Sequence, residues 1–202
     1  MTGLEAGNSV PICPMTSRAT PVAGGGVTAR TFDEPPGGWG RWTVVMCKPD
    51  ATDRRLVEPI LEWIAGTVTI VRTREVIVTA RQILAHYADM LELRHRFPFD
   101  VRADLIDHYV GSTVTVALAR GETNDTAQQV RDLLGHYDPS RAPSVTIRGF
   151  YGDDSAEKAA ADGRLIRNLV HSSDSPADAA ADFKIWFGEP YRHILHQEAH
   201  PR

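Results

Sequence analysis

The sequence predicts a single mixed domain in which helices pack against one β-sheet, and three observations carry that expectation. Runs rich in Val, Ile and Thr recur along the chain at strand length. Between them stand segments whose apolar residues repeat at helical spacing. With 202 residues and 42% apolar content, the chain holds enough hydrophobic side chain for one sizeable core. The order that results is strand–helix–strand–helices–strand–helix–strand–helix. A parallel doubly wound sheet is the default for such alternation. A ferredoxin-like α+β fold satisfies the same order, and spacing alone does not choose between them.

The first strand is Trp42-Thr43-Val44-Val45-Met46-Cys47, continuous in strand formers and therefore buried. Lys48-Pro49-Asp50 ends it. A helix over residues 55–65 carries Leu56, Ile60, Leu61 and Ile64 on one face and closes at Gly66, with Pro59 tolerable in its first turn. Residues 67–78 read as a long strand. Thr79-Ala80-Arg81-Gln82 has the capping-box pattern, and the helix behind it carries Ile83, Leu84, Tyr87 and Leu91. Residues 94–100 form a break around Pro98. A helix over 101–110 follows, with Leu105, Ile106 and Tyr109 on one face, and then a strand over 113–119. The helix at 125–134 stops at Gly135. Residues 136–163 read as long and irregular, which marks a functional or mobile loop. Leu169-Val170 is a short strand. Ser175, Pro176 and Asp178 suit the N-cap, N1 and N3 positions of the last helix.

Composition narrows the functional classes. A net charge of -4 argues against bulk nucleic-acid binding or adhesion to an acidic membrane, so any anion site must come from a few focused Lys and Arg residues. Two cysteines, Cys13 and Cys47, make no disulfide framework and point to a reducing cytoplasm. No apolar stretch is long enough for a secretory signal or a bilayer span. Residues 1–40, with Gly24-Gly25-Gly26 and Pro35-Pro36-Gly37-Gly38, lack hydrophobic periodicity and read as a flexible N-terminal extension. Residues 41–189 form the domain. Residues 190–202 form a tail whose histidines, among them His193, His196 and His200, read as a solvated terminus.

The chemistry concentrates around His171. The run Asn168-Leu169-Val170-His171-Ser172-Ser173-Asp174-Ser175-Pro176 places one imidazole between a strand end and a helix start whose free N–H groups suit an anion. Neutral imidazole is nucleophilic near neutral pH, as covalent phosphoryl transfer requires. Lys48 follows a core strand, Arg131 lies on the helix before Gly135, and Arg148 stands in Thr146-Ile147-Arg148-Gly149. Three cations and one nucleophile can neutralise and position a phosphoryl group. No Walker-type glycine loop is present, since Gly24-Gly25-Gly26 lacks both a preceding strand and a following Lys-Ser/Thr pair.

These motifs together resemble the nucleoside diphosphate kinase family. The pieces that carry the likeness are Lys48-Pro49-Asp50, His86-Tyr87, Leu134-Gly135, Asp138-Pro139, Thr146-Ile147-Arg148-Gly149, Arg167-Asn168-Leu169-Val170-His171 and Ser173-Asp174-Ser175, in that order. The resemblance selects the ferredoxin-like α+β fold, an antiparallel sheet with helices packed on its faces. It implies transfer of the γ-phosphate of ATP or another nucleoside triphosphate to a nucleoside diphosphate, by a ping-pong route through phosphohistidine. His171 matches the nucleophile. Lys48, Arg131 and Arg148 match phosphate-contacting groups, Asn168 a ribose contact, Tyr87 a support for the active-site lysine and Ser173 the hydroxyl near the histidine. Asp182 falls where the family has a glutamate that orients the imidazole, and Phe99 where an aromatic stacks on the base. Mg²⁺ is implied as the cofactor, held by phosphates and water rather than directly by protein. A cytoplasmic homo-oligomer is implied as well.

The chain departs from that pattern around the nucleotide. Ala51 and Ser172 replace glycines, Tyr137 stands where a phosphate-touching threonine is usual, and Phe150 replaces an aspartate. Extra residues fall within 94–98 and within 151–163. A specialised biosynthetic kinase with an unusual acceptor, or a nucleotide-binding regulatory protein without turnover, is the alternative expectation.

Overall fold

The computed structural model describes residues 34–196. Most of the extension assigned to 1–40, with Cys13 and Gly24-Gly25-Gly26, lies outside the described residues, as does the stretch 197–202 with His200. Strands β1 (Trp42–Cys47), β2 (Thr69–Ile77), β3 (Thr113–Arg120) and β4 (Val170–Ser172) form one sheet in the order β2-β3-β1-β4. Every pairing is antiparallel, which overturns the parallel default. The connection from β1 to β2 leaves room for β3, and that from β3 to β4 leaves room for β1. Two interlocked split βαβ units result, the ferredoxin-like arrangement. The hydrophobic pattern locates strands but says nothing about which strand is threaded between two others.

Nine helices are described: α1 (Pro49–Asp53), α2 (Val57–Ala65), α3 (Ala80–His86), α4 (Ala88–Glu92), α5 (Val101–Tyr109), α6 (Thr126–Leu134), α7 (Ile147–Tyr151), α8 (Ala156–Ala161) and α9 (Pro176–Trp186). Pro49 opens α1 directly after the strand, and Arg55 at φ 57 separates it from α2. The helix expected from residue 55 therefore starts two residues later, with Pro59 inside its first turn. The capping box at Thr79 and Gln82 is present in full. The single helix expected behind it is two, because Tyr87 turns inward and meets Tyr109 hydroxyl to hydroxyl at 2.9 Å. Ser175 caps α9 by accepting from the Asp178 N–H, with Pro176 at N1.

The region 136–163 is more ordered than its sequence suggests. It contains a 3-10 turn at Pro139–Arg141 and the helices α7 and α8. Thr146 and Ser155 cap those helices through their side chains. Both helices are too short to show a hydrophobic period, so only the caps could have signalled them.

The core lies on both faces of the sheet. On one face Val44 and Met46 of β1 meet Ile83, Leu105 and Phe183 from α3, α5 and α9. On the other, Val45 and Cys47 meet Ile60, Ile64, Val130 and Leu134 from α2 and α6. β1 is central and wholly buried, whereas β2 forms an edge with mostly exposed positions. Residues Glu189–His196 fold back as 3-10 turns and bury Ile194 and Leu195, so the described part of the expected solvated tail packs on the domain.

Candidate active site

The site gathers where β4 forms the other edge of the sheet. Leu169 enters β4 at φ 70, a conformation costly for a branched side chain and tolerated where surroundings impose it. Its N–H donates to Asp50 Oδ2 at 2.8 Å, and its carbonyl accepts from the Lys48 N–H at 2.8 Å. Burial works against ionisation of Asp50, but His108, Lys48 and the Leu169 N–H more than offset it and hold the carboxyl below its ordinary range. The start of α1 thus pins the strand that carries the histidine.

His171 lies opposite Met46 of β1 and faces α3 and α9. Its Nε2 is 3.4 Å from Asp182 Oδ2. Asp182 also accepts from the Ser173 hydroxyl at 2.8 Å, and its Oδ1 lies 2.8 Å from His86 Nδ1. The Trp186 indole nitrogen lies 3.2 Å from the same His86 nitrogen. Burial raises the Asp182 pKa, yet the His86 and His171 rings and their hydrogen bonds hold it well below the usual carboxylate range. Burial, assisted by His86, pushes His171 down to about 4 against the pull of Asp182. An ionised carboxylate only accepts, so the proton of neutral His171 sits on Nε2. Nδ1 is left with a lone pair and, among the described residues, no hydrogen-bond partner.

The cations converge from other elements. Lys48 Nζ donates to Asn168 Oδ1 at 2.6 Å, and Asn168 Nδ2 donates to the Tyr137 carbonyl at 2.7 Å. Burial pulls Lys48 down to about 7, opposed by Asp50 and assisted by Arg148 and Arg167. Arg148 donates to the Gly135 carbonyl at 3.1 Å and the Val170 carbonyl at 2.7 Å. Burial, with the nearby Arg131, lowers it to about 10, so it stays charged at neutral pH. Arg131 is exposed and pairs with Asp174.

A cavity of about 440 Å³ joins these groups. Of the residues expected at the site, Lys48, Tyr87, Arg131, Tyr137, Arg148, Asn168 and His171 line it, and Ser173 and Asp182 lie behind His171. Phe99 does not line it. Phe97 does, and Phe99 packs edge-on against Phe97 at 5.7 Å. The extra residues within 94–98 blur the register between these two aromatics. Met90, Leu105 and Leu165 complete an apolar lining that suits a base. His86, Asp50 and Trp186 were missed as site residues. The advance signals were the positions of Asp50 in Lys48-Pro49-Asp50 and of His86 beside Tyr87.

Among the described residues, Asp174 is the one acidic residue lining the cavity. Such a lining fits Mg²⁺ carried on phosphates better than a protein cage for the metal. Among the described residues, His86, His171 and Asp182 are grouped with metal-ligand spacing, their donor atoms within 4.8 Å. Those atoms are engaged with one another and with Ser173, and read as a hydrogen-bonded support for the imidazole. Among the described residues no helix is long and apolar enough to cross a membrane.

A ferredoxin-like sheet whose edge presents an oriented imidazole beside buried cations and an apolar recess belongs to the nucleotide-binding phosphotransferases. The comparisons with known proteins narrow this. The nucleoside diphosphate kinase family model matches residues 41–191, and the chain belongs to that family of kinases. A nucleoside diphosphate kinase of Streptococcus thermophilus is 30% identical over 148 residues, 73% of this chain and 98% of that protein. One from Pyrobaculum aerophilum is 38% identical over 89 residues, and there the match spans 44% of this chain and 48% of the relative. Among solved structures, a transition-state mimic of the Borrelia burgdorferi nucleoside diphosphate kinase with bound vanadate and ADP superposes with TM-score 0.67 at 26% identity, covering 74% of this chain and 88% of that one. An NDP kinase from Pyrobaculum aerophilum superposes with TM-score 0.64 at 27% identity, covering 78% and 99%.

Proposed function

We propose that this chain moves the γ-phosphate of a nucleoside triphosphate to a nucleoside diphosphate in two steps, through a phosphoryl group carried on Nδ1 of His171. The observation that carries the reading is the asymmetry of the ring, with Nε2 held by Asp182 and Nδ1 left without a hydrogen-bond partner among the described residues. In the first step the Nδ1 lone pair attacks the γ-phosphorus. The bond to the bridging oxygen of the diphosphate breaks, and the diphosphate leaves with the bond electrons. Lys48, Arg131 and Arg148 offset charge on the transferring group and its flanking oxygens. Asp182 balances the cationic ring that results. In the second step a bound diphosphate attacks the phosphorus and Nδ1 leaves. Mg²⁺ supplies charge neutralisation on the phosphates when bound. The vanadate and ADP in the Borrelia burgdorferi relative support the reading by analogy.

Incubation with γ-labelled ATP tests this. Acid-labile label on His171, released on adding ADP, is the expected result. Label that persists in His171→Ala would sink the proposal. Tyr137, in the cavity lining where the family has a threonine, favours a second reading in which the acceptor is a less common nucleotide or small phosphorylated molecule. Discharge of the phosphoenzyme to a panel of acceptors separates the two. In this reading residues 41–189 form the catalytic unit. Self-association is supported by the long exposed edge strand β2, and a reducing cytoplasm by the free, buried Cys47. Light scattering on the purified chain gives the oligomeric state.

A further inference from the structure

Between Arg148 and His171 the chain makes an excursion, residues 151–163, whose two ends are fastened together. Asp154 is 6% exposed and accepts from Arg164 Nη1 at 2.6 Å and Nη2 at 3.1 Å. A bidentate guanidinium–carboxylate pair therefore closes the excursion at its base. The same carboxylate accepts the backbone N–H of Arg167 at 2.7 Å. Arg167 makes a second bidentate pair with Asp104 of α5, at 2.6 and 3.1 Å. Asp104 also accepts the N–H of Leu165 at 3.1 Å. The backbone and side chains of 164–167 are thus gripped between two carboxylates, one from the excursion and one from α5.

The gripped segment is a wall of the cavity. Leu165, Arg167 and Asn168 line it, and Asn168 continues the chain of contacts to Lys48. The excursion also rests beside the aromatic pair. Gly163, at φ +64, lies where an added Cβ would be 4.0 Å from the Cβ of Phe99, which in turn packs on the cavity-lining Phe97. The hydrogen bonds of Asp154 run to Arg164 and to the Arg167 N–H, in the segment that lines the cavity with Leu165 and Asn168, and none of them reaches His171, Ser173 or Asp182.

We propose that Asp154 is a positioning residue for nucleoside recognition, holding the wall from Leu165 to Asn168 against the base and ribose of the bound nucleotide while leaving the phosphoryl chemistry of His171 intact. The proposal rests on the reading of His171 as the phosphoryl carrier. It makes the excursion a specificity element, fastened to the wall that meets the nucleoside.

The test separates nucleoside-independent from nucleoside-dependent steps. Phosphoramidate transfers its phosphoryl group to an imidazole nitrogen with loss of ammonia, and it carries no nucleoside. The full chain, Asp154→Asn and Arg164→Gln are each phosphorylated with phosphoramidate, then discharged with increasing ADP. Phosphoramidate labelling of His171 at equal rates in all three is expected. The ADP concentration for half-maximal discharge is expected to rise on the order of tenfold in both variants, as a wall displaced by a fraction of an ångström would require. The rate at saturating ADP is expected to stay within about twofold of the unaltered chain, since chemistry and binding separate in this way when only uniform binding is lost. An unchanged half-maximal ADP concentration overturns the proposal, and so does a parallel loss of phosphoramidate labelling, which would mark a general support of the fold. Arg164→Gln removes the same pair from its more exposed side, so a misfolded Asp154→Asn leaves the test in place. If the unaltered chain takes no phosphate on His171 from ATP, the parent reading fails. If it does and the ADP midpoint stays fixed in the variants, this proposal alone fails.

Discussion

At the level of single residues, two buried groups set the pH response of the site. His171, pushed down to about 4, stays neutral and nucleophilic throughout the neutral range. Lys48, pulled down to about 7, loses its charge just where most lysines keep theirs. The rate of phosphoenzyme formation at limiting ATP is therefore expected to fall as pH rises through 7, with the acid limb lying well below pH 6. Lys48→Arg keeps its charge and is expected to lose the alkaline fall, though its bulk lowers the plateau. A profile that rises through pH 7 would contradict the assignment. The same histidine links pH to folding. Its folded pKa lies below the ordinary 6.5. As pH falls from 6.5 towards 4, the unfolded chain binds this proton first, and stability is lost over that window. Urea midpoints at pH 7 and pH 5 should converge in His171→Gln relative to the unaltered chain. Sequence motifs made Lys48, Arg148, Asn168 and His171 legible, because their roles depend on short spacings along the chain. His86 was not legible as a partner of Asp182. Their 2.8 Å contact exists only because the end of α3 meets the face of α9, almost a hundred positions away in sequence.

Elements read well where local rules govern them and poorly where they do not. The caps at Thr79 and Ser175 and the stop at Gly135 follow from side-chain and backbone chemistry within a few residues. The sheet order and the three-residue strand β4 depend on partners far away, and no periodicity of that length can register. Gly135 shows how an element boundary builds the site. It has φ 77 and ψ -167, a region essentially reserved for glycine. A Cβ there would stand 2.2 Å from Thr146 Oγ1. Its carbonyl receives Arg148. Gly135→Ala must shift α6 away from the cap of α7 and move Arg148 with it. A loss of about 2 kcal/mol in urea-derived stability is expected from the backbone term alone. Slower phosphoenzyme formation should accompany it, from displacement of the guanidinium. A variant as stable and as fast as the unaltered chain would show that the turn tolerates a side chain and that Arg148 is placed by other contacts.

Across the whole molecule, the sheet divides its labour between its two edges and its centre. β1 is buried on both faces and holds the two halves of the core together, while β4, its short neighbour, presents His171 at the rim of the cavity. The cavity is lined from α4, α5, α6, α7 and the segment before β4, elements that meet only in the folded state. A ligand that fits it must therefore stabilise the whole domain. Binding to the native state alone adds RT ln(1 + [L]/Kd), about 2.7 kcal/mol at a hundredfold excess over Kd. For a domain of this size that corresponds to a rise of roughly 5–10 °C in melting temperature. ADP with Mg²⁺ is expected to produce that rise in the unaltered chain, read by calorimetry over a concentration series. His171→Ala should keep most of it, because Nδ1 contributes to the reaction rather than to the hold on a diphosphate. Lys48→Ala should lose most of it, because it removes the cation beneath the phosphates and frees Asn168 from its 2.6 Å contact. A melting temperature insensitive to ADP in all three proteins would mean that the cavity takes a different ligand. A shift lost in His171→Ala but kept in Lys48→Ala would mean that the diphosphate sits on the histidine and not on the lysine, and the order of roles within the cavity would have to be reversed.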